Sequence, residues 1–217
     1  PTLSLRNLTV EGSGALTLSG GKLTVEGVLT VDGTLVADEG TLAMAGATVI
    51  TAGSRLEYAV ASAAAASSGI IGAGALVKSG PGVLSVGNDA SGEALGGGLE
   101  VDVLGGGILL AGAAGVPAGL GTLSLVTLEE GTSLDNAAGT DVRLLADLVV
   151  SNAAPAAVFT GAGTRTTDVT GTGSITKLGA GALEFGSTLG AKEPYVAQVT
   201  TPTGAGQLDF TAGVYSV

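Results

Sequence analysis

Two segments of the chain repeat one another, and this repeat constrains the fold more than any other feature. Residues 72–87 read GAGALVKSGPGVLSVG and residues 171–186 read GTGSITKLGAGALEFG, aligned without a gap at an offset of 99 residues. Seven of the 16 aligned positions are identical, and they include a lysine and a leucine as well as glycines. Such repeats are typical of folds that stack similar units. The identical positions are Gly72, Gly74, Lys78, Gly80, Gly82, Leu84 and Gly87 in the first copy, and Gly171, Gly173, Lys177, Gly179, Gly181, Leu183 and Gly186 in the second.

The first fifty residues form a ladder of short runs in which apolar and polar residues alternate. The run LTV occurs at 8–10, 23–25 and 29–31, and alternation with a period of two predicts β-strands, which Thr and Val also favour. Turn-forming pairs such as Glu26-Gly27 and Asp32-Gly33 separate the runs. Because no segment has the apolar spacing of an amphipathic helix, we expect an all-β chain.

The composition decides between the architectures that hold many short strands. Antiparallel sandwiches, barrels and solenoids all do so. Here 45% of the residues are hydrophobic, 12% are charged, 39 are glycine and none is tryptophan. A narrow solenoid core takes small and aliphatic side chains, and its corners need residues that tolerate positive φ. We therefore expect a right-handed parallel β-helix (β-solenoid) of about ten rungs of roughly 20 residues, with the 99-residue offset spanning five rungs.

The repeated segments resemble a known family. Residues 72–87 and 171–186 are similar to the passenger-associated transport repeat, also called the autotransporter-associated β-strand repeat, and both match its core G-x-G-x-[LI]-x-K-x-G-x-G-x-L. The Ser or Thr that usually follows the lysine is Ser79 in one copy and Leu178 in the other. The resemblance covers residues 69–187. It implies a secreted right-handed β-helix, often the passenger of an autotransporter or part of a long surface protein.

The motif lysines and leucines are predicted to be structural. We expect Lys78 and Lys177 at equivalent strand ends, where the stem covers apolar edge and the ammonium reaches solvent or a carboxylate. Leu84 and Leu183 are expected in equivalent inward columns of the core. We predict a continuous β-helix over residues 1–187. Residues 188–217 are predicted to form terminal rungs, a cap or a connection to further rungs.

The start of the chain and its long uncharged windows carry two further expectations. The sequence opens on Pro1-Thr2 without an initiator methionine or a basic and apolar leader, which indicates a processed product or an excised segment. Residues 58–77 and 103–128 contain no charged residue, but their glycine, serine and alanine content suits a spanning helix poorly. We do not expect the chain itself to span a membrane.

Several classes of chemistry are excluded by what the chain lacks. With no His and no Cys, it has no Ser-His-Asp triad, no thiol nucleophile and no imidazole or thiolate metal site. Ser91, within the Asn88–Gly92 segment, is therefore expected to be a turn residue. The glycine runs lack the Lys-Ser/Thr pair of a phosphate-binding loop. We expect no catalytic residue, no cofactor and no enzyme activity.

Acidic residues are the remaining candidates for a binding role. The net charge of −11 disfavours nucleic acid as a partner. Glu100 and Asp102 are spaced to lie on one strand face, where a solvated surface is expected and a Ca²⁺ site is the alternative. Glu11, Glu26 and Asp32 each precede a glycine at a strand end. They could form an acidic ladder along one edge, which would need a cation or a staggered placement.

The sequence thus predicts a structural β-helical segment of a bacterial protein that is secreted or lies on the outer-membrane exterior. Stalk, adhesin and filament subunit are the roles considered. The expected partners are further copies joined end to end, adjoining rungs of a longer chain, and a host or cell-surface ligand. The alternative is a polysaccharide-active or a cation- or glycan-binding β-helix protein. A cleft with three or more carboxylates would favour that alternative.

Overall fold

The computed structural model describes residues 2–38, 41–112, 115–164, 168–185, 188–189, 199–200 and 208–210. Within these ranges the regular structure consists of 28 β-strands and no helix. Accordingly, the described residues include no helical segment with the length and apolarity of a membrane span.

The strands are distributed over three sheets, which we call sheets I, II and III. Sheet I contains β1 (Thr2–Leu5), β4 (Lys22–Val25), β7 (Thr41–Met44), β10 (Ala64–Ala66), β13 (Val83–Val86), β16 (Gly107–Leu110), β19 (Ser133–Asn136), β22 (Ala156–Val158), β25 (Leu183–Phe185) and β28 (Leu208–Phe210). Sheet II contains β2 (Leu8–Val10), β5 (Leu29–Val31), β8 (Thr48–Ile50), β11 (Ile70–Gly72), β14 (Glu93–Gly96), β17 (Ala118–Leu120), β20 (Val142–Leu144), β23 (Asp168–Gly171) and β26 (Thr188–Leu189). Sheet III contains β3 (Ala15–Ser19), β6 (Thr34–Asp38), β9 (Arg55–Ala59), β12 (Ala75–Ser79), β15 (Leu99–Val103), β18 (Leu123–Leu128), β21 (Leu148–Asn152), β24 (Ile175–Leu178) and β27 (Val199–Thr200).

Each strand pairs in parallel with the strand three places further along the chain. The chain therefore passes through sheets I, II and III in turn and then begins the next rung, which confirms the parallel β-solenoid. The sheets contain ten, nine and nine strands, so the complete turns number slightly fewer than the ten expected.

The core is a set of columns of aliphatic side chains that point inward from stacked strands. In sheet III, Leu35 pairs with Leu56, Leu56 with Leu76, and Leu76 with Val101, and each of these side chains is fully buried. Alternate residues of the same strands point outward, as the burial pattern of β9 shows. This alternation in the sequence is what places one apolar column over the next.

The rungs have two lengths. In the first part of the coil, Leu35 pairs with Leu56 and Arg55 with Ala75, which are steps of 21 and 20 residues. From β13 to β25 the steps lengthen to between 24 and 27 residues, as in the pairing of Val83 with Gly107 and of Leu148 with Ile175. The last step of sheet II, from Asp168 to Thr188, is 20 residues again. The expected rung of roughly 20 residues therefore holds only for the first part and for this last step. Four rungs, rather than five, separate the two motif copies, since β12, β15, β18, β21 and β24 follow one another in sheet III.

The additional length lies at the corner between sheets I and II. Three residues join these sheets at positions 26–28, 45–47 and 67–69. The corresponding connections after β13, β16, β19 and β22 run over residues 87–92, 111–117, 137–141 and 159–167. We call these four connections the loop ridge. Because they follow one another on the same corner, the coil keeps its three-sheet core while one edge carries all four loops.

Candidate functional site

Lys78 lies inside the coil, and its ammonium group binds backbone carbonyls at the corner between sheets III and I. Its side chain is fully buried. In register it lies between Tyr58 and Val103, both of which are also fully buried. Lys78 Nζ donates hydrogen bonds to the carbonyl oxygens of Ser79 at 2.7 Å, Gly80 at 2.9 Å and Gly105 at 3.2 Å. Three acceptors match the three protons of a charged ammonium.

Lys177 has the same arrangement in the second copy of the motif. It is fully buried, and its Nζ donates to the carbonyl oxygens of Leu178 at 3.3 Å and Gly179 at 2.9 Å. The expectation that both ammonium groups reach solvent or a carboxylate is therefore wrong. Backbone carbonyl oxygens at the corner, where the chain turns, stabilise the charge instead, since a buried ammonium needs hydrogen-bond partners.

Burial has the same electrostatic effect on both lysines. Removal from water penalises the charged form and lowers the pKa of Lys78 and of Lys177 below the ordinary value of 10.5. Further along the column of Lys78, Asn152 takes a similar position, and its Nδ2 donates to the carbonyl oxygens of Ala154 and Ala182, both at 2.8 Å. The corner between sheets III and I is thus held from inside by polar side chains.

The motif glycines allow consecutive rungs to approach closely. Gly72 and Gly171 end strands of sheet II with φ values of +129° and +122°. A β-carbon on Gly72 would overlap the carbonyl oxygen of Ile50, and one on Gly171 would overlap that of Leu144. The two copies therefore share backbone conformation as well as sequence. Gly186, the last motif position, lies outside the described residues.

The two copies do not occupy equivalent positions in the stack. Leu84 and Leu183 both point inward and are fully buried, as expected. However, the column of Leu84 continues through Ile108, Leu134 and Val158, and the residue in register with Val158 in β25 is Phe185. Leu183 is two residues away from that position and pairs with Ala156 instead. The prediction of equivalent columns is thus wrong by two residues, a shift that preserves the alternation of inward and outward positions.

The predicted acidic residues are dispersed over the surface. Glu100 and Asp102 both lie on the outer face of β15, while the intervening Val101 is buried. They share a face, as expected. Their neighbours in register are Ala75 and Leu125 for Glu100, and Val77 and Thr127 for Asp102, so no further carboxylate lies beside them in the adjacent strands.

The proposed acidic ladder is not a single ladder. Glu11 and Asp32 follow strands of sheet II, whereas Glu26 follows a strand of sheet I and lies at a different corner. Asp32 accepts a hydrogen bond from Thr51 Oγ1 at 2.6 Å, and Glu26 accepts one from Ser4 Oγ at 2.8 Å. Hydroxyl groups in neighbouring rungs therefore partner these carboxylates.

The turn at residues 88–92 is held by its own side chains. Asp89 Oδ1 accepts hydrogen bonds from Ser91 N, Ser91 Oγ and Glu93 N. Burial alone would raise the pKa of Asp89, but these bonds hold it below its usual value. Ser91 is thus a turn residue that binds the adjacent carboxylate.

Sequence reasoning missed the polar residues that fasten the loop ridge. Asn88 Nδ2 donates to the carbonyl oxygen of Pro117 at 2.9 Å, which ties the first loop to the second. Asp135 accepts hydrogen bonds from Thr160 Oγ1 and from Gly161 N, which ties the fourth loop to sheet I. Each of these contacts joins two residues about one rung apart in the sequence. They could have been paired from the sequence only if the length of these rungs had been known.

The fourth loop also contains backbone strain. Phe159 and Ala162 have φ values of 50° and 52°, in the left-handed region that non-glycine residues rarely adopt. Phe159 is fully buried in the core at this point. A groove of about 240 Å³ lies between the second and third loops, lined by residues that include Val116, Pro117, Thr140 and Asp141.

The described residues contain no group of three or more His, Cys, Asp or Glu side chains that could hold a metal ion. No protein-family model, curated protein or solved structure matches this chain. The geometry of the coil is therefore the basis for a functional proposal.

Proposed function

We propose that the chain is a rigid structural segment of a secreted or cell-surface bacterial protein, serving as a stalk, adhesin or filament subunit without catalytic activity. The observation that carries this proposal is the continuity of the buried columns. The column from Leu84 to Val158 passes through four rungs with every member fully buried. A stack in which each rung packs on the next resists bending, since each unit is stabilised by its neighbours.

The outer surface supports a role without catalysis. Polysaccharide-cleaving β-helices need several carboxylates together to donate and accept protons or to hold a cation. Glu100 and Asp102 form a pair at most, and Glu11, Glu26 and Asp32 lie at two different corners. The described part of the coil contains no cleft of several carboxylates that would support the alternative enzymatic role.

The repeat motif supports secretion. The segments that resemble the passenger-associated transport repeat share two features of geometry besides sequence, namely the inward lysine and the close-packed glycine. A β-solenoid also needs few long-range contacts other than those between adjacent rungs, so it can fold progressively from one end. That property suits a chain that folds after crossing a membrane.

Two measurements test the location and the role separately. Antibodies against the chain should label intact cells that express the whole native protein, with a cytoplasmic protein as the negative control. Label that appears only after the cells are lysed would contradict a surface location.

Purified protein incubated with a panel of bacterial and plant polysaccharides should release no reducing ends. Release of sugar at rates above those of a heat-denatured sample would overturn the structural role.

The rigid-segment role predicts tolerance to a whole additional rung. Arg55 pairs with Ala75, so a tandem duplication of residues 55–74 adds one rung in phase. We expect this variant to fold and to lengthen the coil by about 4.8 Å. Duplication of residues 65–74 alone is the matched control, since it adds half a rung and displaces the inward columns. Equal stability of the two variants would contradict the stacked-rung account.

A further inference from the structure

The fourth loop of the ridge holds its backbone in a conformation that other non-glycine residues of the described coil avoid. Among the described residues, positive φ outside glycine occurs at two positions, Phe159 with 50° and Ala162 with 52°. A large side chain fits this region poorly, so such a residue is held there by its surroundings. Thr160 and Gly161 lie between the two positions, and the strain is therefore concentrated on a few neighbouring peptide bonds.

Phe159 is anchored to the coil by its side chain and by its backbone. The side chain is fully buried in the core. The N–H of Phe159 donates to the carbonyl oxygen of Leu134 at 3.1 Å, which fastens the start of the loop to β19. Strand β22, which ends at Val158, pairs with β19 through the same leucine. The backbone that enters Thr160 is thus fixed relative to the core.

A carboxylate of β19 lies directly against Thr160. Asp135 follows the inward Leu134 and points outward, yet it is only 9% exposed. Its Oδ2 accepts a hydrogen bond from Thr160 Oγ1. Its Oδ1 accepts hydrogen bonds from Asn136 N at 2.8 Å and from Gly161 N at 3.0 Å. Two backbone N–H groups therefore fix the carboxylate while its other oxygen receives the proton of a threonine hydroxyl.

The hydroxyl oxygen of Thr160 has a second contact that sets its orientation. Gly163 N donates to Thr160 Oγ1 at 3.1 Å. Because Oγ1 accepts from Gly163 and donates to Asp135, its proton points at the carboxylate and a backbone N–H supports the oxygen. Thr160 is itself 9% exposed, so bulk water competes little for these bonds. A hydroxyl paired with an adjacent base is the arrangement that activates serine and threonine as nucleophiles.

We propose that the chain cleaves its own backbone once, between Phe159 and Thr160. Asp135 removes the proton from Thr160 Oγ1, and this oxygen attacks the carbonyl carbon of Phe159 to close a small ring with its own backbone. The bond from that carbon to Thr160 N then breaks, and the nitrogen takes up the proton from Asp135. The step leaves an ester between Phe159 and Thr160 Oγ1, together with a free amine on Thr160.

Water completes the reaction by hydrolysing the ester. Its oxygen adds to the ester carbon, and the bond to Oγ1 breaks as Oγ1 regains a proton. One fragment then ends in the carboxylate of Phe159, and the other begins with the ammonium group of Thr160. Ala162 and Gly163 are exposed, so water has access along the loop. Cleavage releases the constraint that holds Phe159 in the left-handed region, which favours the products.

The reaction goes beyond the structural role proposed above and does not depend on secretion. It occurs once per chain and consumes no external substrate other than water. The cleaved coil should keep its shape, because strands from the two fragments pair with each other. Strand β23, which follows the cut, pairs with β20, which precedes it, as in the pairing of Val169 with Val142.

The first experiment follows the native chain on a denaturing gel and by intact mass spectrometry during incubation at neutral pH. We expect two fragments, residues 1–159 and 160–217, with Thr160-Gly161 at the new amino terminus. Hydroxylamine at neutral pH should increase the amount of both fragments, because it attacks an ester faster than water does. A native chain that stays intact in the presence of hydroxylamine, or a cut at another bond, would overturn the proposal.

Four variants distinguish self-cleavage from digestion by a contaminating protease, with circular dichroism to confirm that each keeps its β-structure. Thr160→Val removes the hydroxyl at nearly constant volume and should abolish cleavage, whereas Thr160→Ser should retain it. Asp135→Asn should slow cleavage by about a hundredfold or more, as expected for the loss of a general base. Thr132→Val is the matched control and should cleave as the native chain does. Thr132 is 2% exposed, and its Oγ1 donates to the carbonyl oxygen of Glu129 instead of a carboxylate.

The comparison of these variants decides the outcome. Native cleavage rates in Thr160→Val or in Asp135→Asn would overturn the proposal, since neither the nucleophile nor the base would then be needed. Equal loss of cleavage in Thr160→Val and Thr132→Val would also overturn it, because the hydroxyl of Thr160 would have no role that a buried threonine elsewhere lacks.

Discussion

The coil has a narrow region, residues 2–86, and a wide region, residues 87–185, which differ in one corner and agree in their core. In the narrow region three residues join sheets I and II, as at 45–47, and a β-carbon on Gly46 would overlap the backbone of Gly27. In the wide region the same corner holds the loop ridge. Loop glycines such as Gly92 and Gly139 have open space around the position of a β-carbon. Contact between successive corners therefore limits chain length in the narrow region only.

The packing of the core is the same in both regions. The column Ala64, Leu84, Ile108 and Leu134 crosses the boundary between the regions without a break, and all but Ala64 are fully buried. What must be conserved from rung to rung is therefore the inward alternation within strands. The connection between sheets I and II can vary in length where it projects outward from the coil, because each added loop residue costs little closure entropy.

The largest predicted effect is the loss of a core leucine, and it should be the same in both regions. Leu35→Ala in the narrow region and Leu134→Ala in the wide region should each lower the free energy of unfolding by about 2–5 kcal/mol, since each leaves a cavity in a fully buried column. Urea denaturation followed by circular dichroism measures both. A large effect at Leu35 with almost none at Leu134 would break the comparison and indicate a loosely packed wide region.

The next effect concerns the lysine inside the narrow region. Lys78→Met should lower the free energy of unfolding by about 1–3 kcal/mol, because three carbonyl oxygens lose their hydrogen bond to the ammonium while the methionine still fills the space. Lys22→Met, at an exposed site, is the control and should change stability by less than about 0.5 kcal/mol. Equal effects of the two substitutions would contradict the internal role of Lys78.

The same lysine predicts a dependence on pH. Burial lowers the pKa of Lys78 in the folded chain below the ordinary 10.5. Between the two values the unfolded chain binds more protons, so the stability of the native protein relative to Lys78→Met should rise as the pH rises toward 10.5. Urea midpoints of both proteins at several alkaline pH values measure this difference. A constant difference would mean that Lys78 titrates as it does in water.

A smaller effect, of opposite sign, is expected at Tyr58. Its hydroxyl is buried and has no hydrogen-bond partner among the residues that the structure describes, so Tyr58→Phe should raise the free energy of unfolding by about 1 kcal/mol near neutral pH. Burial also raises the pKa of Tyr58 above its ordinary 10.0, and the unfolded chain therefore loses this proton first. The gain from the substitution should grow above pH 10.0. A destabilised Tyr58→Phe variant would show that the hydroxyl has a partner in solution.

The smallest effect is expected at the loop ridge. Insertion of two glycines between Ala90 and Ser91 displaces the exposed Ser91 from Asp89 but leaves the core strands on either side in register, so it should lower the free energy of unfolding by less than about 1 kcal/mol. Thermal unfolding of the variant measures this. A loss comparable to that of Leu134→Ala would show that the ridge loops, like the narrow corners, are part of the packing between rungs.

The sequence predicted the β-solenoid because alternation and turn residues are local signals. It did not predict the rung length in the wide region, because an offset of 99 residues divides as well into four long rungs as into five short ones. The ridge loops have no periodic signal that could have decided between them. Only the pairing of strands such as β12 with β15 reveals the longer step.

The inward direction of the Lys78 side chain could have been predicted from the sequence, but it was predicted wrongly. Lys78 has the same parity as Leu76 and so belongs on the inward face, yet a charged side chain is ordinarily assigned to solvent. Its burial is stable because carbonyl oxygens converge on it, and one of them belongs to Gly105 in the next rung. The sequence alone contains no indication that this oxygen is near.

The most direct test of the account is hydrogen–deuterium exchange along the native chain, read by mass spectrometry. We expect slow exchange in the strands of both regions, including β9 and β12 in the narrow region and β18 and β21 in the wide one, with fast exchange confined to the corners and the ridge loop at residues 87–92. Strands of the wide region that exchange as fast as residues 87–92 would contradict it, since the stacked core would then end where the rungs lengthen.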